Sequence, residues 1–383
     1  MEEASGGSVD EIRSLVREFA RKEVAPHVRG WDEDSFFPAE VLSALGELGL
    51  LGVLVPDEYG GAALDYAHYT AIIEELAAVE PGLALTVAAH NSLCTNHILL
   101  FGSDDQRRRW LPRLARGEVL GAWALTEPEA GSDAGGTRTM AVRRGDGWVL
   151  TGSKNFITNA SVGGVAVVMA RTGSAEGSHS DISAFLVPLD APGVSAGRKE
   201  DKLGMRTSDT ASVILEACYL GPDALLGAEG EGFRQAMEVL DGGRISIAAL
   251  ALGIGRGAFE NARAYACGRR QFGRPIAGFQ AIQFKLADMA TSLEAARLLT
   301  GRAAAVKDDG GKTTLLSSQA KLFASEAAVR ICEEAVQILG GYGYTRDYPV
   351  EKLWRDSKLC TIGEGTSEIQ RLVIARQILK GVE

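Results

Sequence analysis

Apolar residues recur every three or four positions along the first third of the chain, a spacing that predicts amphipathic helices. Val9, Ile12, Val16 and Phe19 mark the first, behind Ser8 and Glu11 at capping-box distance. Pro38 opens a second, with Val41, Leu42, Leu45 and Leu48 on one face and Gly49 at its exit. Asp65 stands where it caps a third helix carrying Ile72, Ile73 and Leu76, and the apolar stretch from Leu83 to Leu100 predicts a buried fourth. The expected unit is a small helical domain over residues 1–117.

From residue 118 to 229 the pattern shortens to β-prone runs between turn residues. Trp148 to Thr151 follows a Gly-Asp-Gly turn, and Val165 to Ala170, Ile182 to Val187 and Ser212 to Leu215 read as further strands. Beyond Gly230, over residues 230–383, helical periods return. Ile282, Leu286, Met289, Leu293 and Ala296 keep the 3/4 spacing, as do Leu316, Ala320, Phe323, Ala327 and Ile331. A helix over about 278–306 is expected, and helices of that length pack most simply as a bundle.

Composition narrows the function classes. With 46% hydrophobic and 23% charged residues the chain is an ordinary globular protein, and its 383 residues exceed what one core serves. The net charge of −10 argues against nucleic-acid binding, which needs concentrated Lys and Arg. No apolar run is long enough to span a bilayer, so no integral membrane association is expected. Five scattered cysteines with no CxxC pair suggest neither zinc nor a disulfide framework. No metal site is expected, and a cytoplasmic location fits best, given the acidic start without a signal-peptide core.

Five segments carry candidate chemistry. Trp123 to Gly136 runs from a strand into a loop dense in Gly, Ser and Thr, able to turn N–H groups and hydroxyls toward an anion or a ring edge. In Thr151 to Ala160, Phe156 and Thr158 share a face if the segment is extended, so that one covers a flat ring while the other bonds to its edge. Arg269 to Pro275 is a basic turn between helices, and Gln337 to Tyr344 reads first as a glycine helix stop. Thr361 to Arg371 places Glu364 between two glycines before a helix that Ser367 and Gln370 can cap, on a loop needing unusual backbone geometry. His90 and His97, seven apart on an apolar helix, suit helix-face polar roles better than metal ligation. A Rossmann glycine fingerprint and a Ser-His-Asp arrangement are both absent from the sequence.

The strings LTEPEAGSDAGG, GSKNFITNA, KLGMRTSD, RRQFGRP, QILGGYGY and IGEGTSEIQR, in this order, strongly resemble the acyl-CoA dehydrogenase family along nearly the whole chain. The resemblance implies an α+β multidomain fold: an N-terminal α-helical domain, a middle β-barrel or sandwich-like domain and a C-terminal four-helix bundle. It implies FAD bound between domains and across a subunit boundary, a homotetramer built as a dimer of dimers, and electron-transfer flavoprotein as acceptor. By that likeness Leu125, Thr126, Ser132, Phe156 and Thr158 lie on the flavin side. Arg269, Gln280, Gln337 and Gly341 fall where a neighbouring subunit supports the adenine and diphosphate, and Thr366 and Glu368 at flavin contacts. Ser132, Asp241, Arg244 and Gly365 fall at substrate positions.

Glu364 matches the base of the short- and medium-chain type. Members of the isovaleryl and long-chain types carry theirs at the position of Gly243, so Glu364 has no rival there. The implied reaction is α,β-dehydrogenation of a short- to medium-chain or short branched acyl-CoA, in fatty-acid β-oxidation or a related catabolism. Two alternatives differ in class: a flavin oxidase or monooxygenase on the same fold, and a non-enzymatic CoA-binding protein. Gly363 and Phe156 replace aromatic residues common among relatives, which bears on pocket shape and flavin packing.

Overall fold

In the computed structural model, residues 7–173 and 178–380 are described. The N-terminal helices are α1 (Val9–Phe19), α2 (Val28–Asp34), α3 (Ala39–Glu47), α4 (Tyr66–Ala77), α5 (Pro81–Ala89), α6 (Asn96–Phe101) and α7 (Asp104–Ala115). Two begin where the sequence places their caps: Ser8 and Glu11 form the full capping box of α1, and the Asp65 side chain accepts the His68 amide on α4. The expected helix from Leu83 to Leu100 is real but not uniform. Between α5 and α6 the chain widens into a π-helical turn, His90–Thr95, every residue of which is buried.

Both histidines on that turn and just after it are buried and hydrogen-bonded. His90 Nδ1 accepts the Gly121 amide, so its Nε2–H serves the carbonyls of Leu51 and Leu114. His97 Nδ1 accepts the indole N–H of Trp123, and its Nε2 donates to Gln235. Burial pushes both imidazoles down to about 4, so they stay neutral. They act as struts from the helical domain to the sheet and to the C-terminal helices.

The middle strands are β1 (Gly121–Ala124), β2 (Met140–Arg144), β3 (Gly147–Thr158), β4 (Val165–Arg171), β5 (Ile182–Pro188), β6 (Val194–Ala196), β7 (Thr210–Leu220) and β8 (Leu225–Leu226). They hydrogen-bond in the order β6-β7-β3-β2-β4-β5-β8, with β1 beside β4. Of the two expected shapes, barrel or sandwich, the sheet takes the second: it does not close, but folds over at β2, which pairs along β3 and touches β4 only at Met140 and Arg171. The unbroken apolar runs in β4 and β5 follow from this. Val165, Val167 and Met169 face Trp110, Ala236 and Val239 of the helices, while Ala166, Val168 and Ala170 face Trp148, Val213 and Leu215 of the other layer. A strand covered on both faces needs no polar alternation.

The C-terminal bundle is built on α8 (Gly232–Gly268), α9 (Gln280–Asp308) and α10 (Thr314–Leu339), completed by α11 (Val350–Cys360) and α12 (Ser367–Ile378). A two-stranded hairpin, β9 (Arg270–Gln271) with β10 (Arg274–Pro275), occupies the basic turn between α8 and α9. The stripes read from the sequence face inward: Met289, Leu293 and Ala296 on α9, and Ala320, Ala327 and Ile331 on α10, join one core with α4, α5 and α8. Gly340, at φ 62, ends α10 as the glycine stop requires.

Candidate active site

Glu364 lies on the short loop between α11 and α12, and both it and Gly365 adopt positive φ, 53° and 90°. A glutamate in the left-handed region is strained by its Cβ and needs holding. Ser367 N–H donates to Thr361 O across the loop at 3.0 Å. Gln370 Nε2 donates to the carbonyls of Glu364, at 3.1 Å, and Gly365, at 3.0 Å. Lys321, from α10, donates to the same Gly365 carbonyl at 2.7 Å. The helix cap differs from the expected one: Thr366, not Ser367, is the N-cap, its hydroxyl accepting the Ile369 amide, because the turn at Gly365 brings the helix start one residue earlier.

The strained turn drives the carboxylate inward. Although Glu364 as a residue is half-buried, its Oε2 is enclosed and has no hydrogen-bond partner among the described residues. That oxygen rests on α8 at Gly243, where an added Cβ would come within 2.0 Å of it. The glycine is what admits the carboxylate. Burial pushes Glu364 up to about 7, against the opposing pull of Lys321 and Arg244. Its own amide makes no hydrogen bond among the described residues.

Arg244, one position further along α8, is buried and donates to Asp241 at 2.6 Å, while Asp241 Oδ2 accepts the Thr314 hydroxyl at 2.6 Å. The structure thus brings Glu364, Gly365, Asp241 and Arg244 to one place between α8, α10 and the α11–α12 loop. Lys321 and Gln370 belong there too; the motif reading passed over Lys321 and gave Gln370 only a capping role. The signal for Lys321 was a single lysine inside the small-residue stripe of α10, flanked by Ser317, Ala320, Ala324 and Ser325, all buried.

A second cluster forms at the start of the sheet. Asn155 N–H donates to Thr126 O at 2.8 Å, laying Leu125 and Thr126 beside the end of β3. The regular extended segment expected across Phe156 and Thr158 is interrupted, since β3 bulges against β7 between Lys154 and Ile157 and Phe156 itself has φ 56. The bulge turns Phe156 outward, 63% exposed, with Ile157 buried and Thr158 half-buried beyond it. Beneath lies the Lys154–Glu127 ion pair at 2.7 Å. Glu127 also accepts the amides of Arg138 and Thr139, which fixes the loop bearing the exposed Ser132.

A third group is remote from Glu364 in the chain's own packing. Arg269, Tyr265, Gln271, Ile276 and the turn from Ile338 to Tyr342 line a groove of about 530 Å³, so Arg269 and Gly341 meet there. Gln337 sits exposed on the last turn of α10, and Gln280 opens α9 away from the groove's walls. Glu368 is exposed on the first turn of α12. No group of three or more His, Cys, Asp or Glu suited to a metal occurs among the described residues.

The N-terminal helices, through Leu93 and Tyr69, and the C-terminal bundle together surround the enclosed, unpaired carboxylate oxygen of Glu364. The chain belongs to the acyl-CoA dehydrogenase family: its residues 8–118, 122–218 and 230–379 match the N-terminal, middle and C-terminal domains of acyl-CoA dehydrogenase. It is 48% identical to a probable acyl-CoA dehydrogenase of Bacillus subtilis, over 96% of this chain and 97% of that one. It is also 48% identical to the human mitochondrial short-chain specific acyl-CoA dehydrogenase, over 96% of this chain and 89% of that one. Among solved structures, butyryl-CoA dehydrogenase of Megasphaera elsdenii superposes with a TM-score of 0.95 at 40% identity, covering 99% of this chain and all of that one.

Proposed function

We propose that the protein is an FAD-dependent acyl-CoA dehydrogenase acting on short-chain or short branched acyl thioesters, with Glu364 as the base that removes the α-proton. The observation that carries this reading is the enclosed, unpartnered Glu364 Oε2, seated on Gly243. An ordinary glutamate, with a pKa of about 4.3, is far too weak a base for a thioester α-carbon. Burial raises the proton affinity of Glu364 to about 7, which narrows the gap while leaving much of it ionised at neutral pH. The free Glu364 amide is available to donate to the thioester oxygen and stabilise the enolate that develops as the proton leaves.

Bound FAD supplies the acceptor for the hydride that departs from the β-carbon. The residues fit such a group. Leu125 and Thr126 lie beside the end of β3 that carries Phe156 and Thr158, where the outward Phe156 ring offers a flat apolar surface near the two threonine hydroxyls. Arg269 and Gly341 share a groove whose cation and open backbone suit a diphosphate. That groove lies apart from Glu364 within one chain, so it serves the cofactor of a neighbouring subunit. Phe272, Phe284, Leu298 and Tyr344 of the C-terminal domain are 93%, 63%, 65% and 89% exposed, apolar surface of the kind that assembly covers. A dimer of dimers passing electrons to electron-transfer flavoprotein completes the reading.

The test is Glu364→Gln, which keeps volume and hydrogen-bonding reach but not basicity. The variant is expected to assemble, hold FAD and bind butyryl-CoA, yet to reduce its flavin about 10⁴-fold more slowly in anaerobic stopped-flow mixing. Bleaching within about tenfold of the parent rate would assign the proton to another group.

A further inference from the structure

Lys321 is fully buried on α10, and its ammonium makes one hydrogen bond among the described residues, to the Gly365 carbonyl at 2.7 Å. No carboxylate forms an ion pair with it there. Arg244, the other cation near Glu364, differs in being neutralised by Asp241 at 2.6 Å. An ammonium with three donors and one neutral acceptor is expensive to bury. Holding the loop does not account for it, since Gln370 already donates to both the Glu364 and the Gly365 carbonyls. What Lys321 adds to that clamp is charge.

We propose that Lys321 is a positioning residue for the proton transfer, an inference that rests on Glu364 being the base. Its ammonium secures the left-handed Glu364–Gly365 turn through the carbonyl next to the base, and places an uncompensated positive charge close to the carboxylate. Among the groups that favour the ionised form of Glu364, Lys321 is the larger and Arg244 the smaller. Burial in turn lowers Lys321 to about 8, with Cys360, Glu364 and Glu368 acting against that and Arg244 reinforcing it. The remaining titratable neighbours stay neutral: burial pushes the Cys360 thiol on α11 up to about 12, and raises the Tyr69 phenol on α4 as well. Burial thus lets Glu364 gain its charge only at raised pH and makes Lys321 lose its charge early, so the two are charged together over a limited pH window. Below that window the base is protonated, and above it the lysine loses the charge that supports it.

The experiment follows anaerobic flavin reduction by butyryl-CoA from about pH 6 to 9 in the FAD-loaded parent, Lys321→Met, Lys321→Arg and Glu364→Gln, with FAD content and melting temperature of each. In Lys321→Met the rising limb is expected at higher pH, because Glu364 has lost the cation that favours its ionised form. Its rate at neutral pH is expected to fall about 10²-fold through misplacement of the base. Lys321→Arg should restore the position of the rising limb and remove the alkaline decline, since a guanidinium keeps its charge throughout. A folded Lys321→Met with the parent's profile and rate would overturn the proposal. So would a Lys321→Arg that keeps the parent's alkaline limb, which decides the matter even if Lys321→Met fails to fold. Reduction of Glu364→Gln at the parent rate would sink the base assignment itself, whereas slow Glu364→Gln beside unaltered Lys321→Met would sink the role of Lys321 alone.

Discussion

Two regions of this molecule bury carboxylates, and they do so in opposite ways. Where the three domains meet, Glu80 accepts the Gly82 amide, the Thr207 hydroxyl and Lys352 Nζ, while Asp356 takes Lys352 at 2.7 Å and the Met205 amide at 2.5 Å. A residue from the helical domain, a loop from the β domain and two residues of α11 are thereby locked into one network, in which the second Glu80 oxygen lies 2.9 Å from the same Lys352 Nζ. At Glu364 the carboxylate is admitted by a glycine and left with an empty oxygen. A buried carboxylate held by a buried ammonium is committed to that partner and specifies the arrangement of domains. One without such a partner is unstable in place, and in the proposed mechanism that instability is what makes Glu364 a base.

Breaking the network centred on Lys352 has the largest expected effect on stability. Lys352→Met strands two buried carboxylates, and the loss expected is about 3 to 5 kcal/mol, read as a lower midpoint in denaturant unfolding of the FAD-loaded protein. A loss below about 1 kcal/mol would mean that the network is not the joint described here.

The same substitution logic at the other site reverses the sign. Glu364 is raised in the folded state, so its stabilising contribution is complete below the unfolded value and is lost as pH rises through about 7. Glu364→Gln escapes that loss and should be more stable than the parent at pH 8, by up to about 3 kcal/mol. Equal melting temperatures of the two at that pH would show the carboxylate to be better solvated than its surroundings indicate.

His90 and His97 extend the contrast to groups kept neutral by burial. Their folded values lie near 4, below those of the unfolded chain, so the unfolded chain takes up protons first as pH falls from about 6.5 to about 4. Each should contribute about 3 kcal/mol to the acid loss of stability, and His97→Gln should flatten part of that fall.

The smallest effect expected is on cofactor retention. Arg269→Ala should weaken FAD binding about tenfold with little change in the far-UV circular dichroism of the fold, measured by release of flavin on dilution.

Much of this contrast is written locally, and the part that is not explains what the sequence alone conceals. The two glycines beside Glu364 announce a turn with unusual geometry, and φ values of 53° and 90° are found there. Capping at Ser8 and Asp65 is equally local. The π-turn after Ala89, the bulge at Phe156 and the short helix α2 are set by packing, which periodicity does not encode. Thr366 caps α12 in place of Ser367 because the preceding turn, not the composition, fixes where the helix begins. The partners that decide the chemistry come from far along the chain: Lys321 is 44 residues from Gly365, and Lys352 is 272 from Glu80. Lys321 is marked locally only by the small-residue stripe around it, and neither lysine's partner can be read from its neighbours in the chain.

The central claim is that Glu364 takes the α-proton, and the most direct measurement follows that proton. The FAD-loaded enzyme is mixed with butyryl-CoA in D₂O under anaerobic conditions, and deuterium entering the α-carbon of recovered butyryl-CoA is counted by mass spectrometry. The parent should incorporate α-deuterium rapidly, and Glu364→Gln should do so at least about 10³-fold more slowly while binding the same ligand. Incorporation by Glu364→Gln at the parent rate would contradict the account.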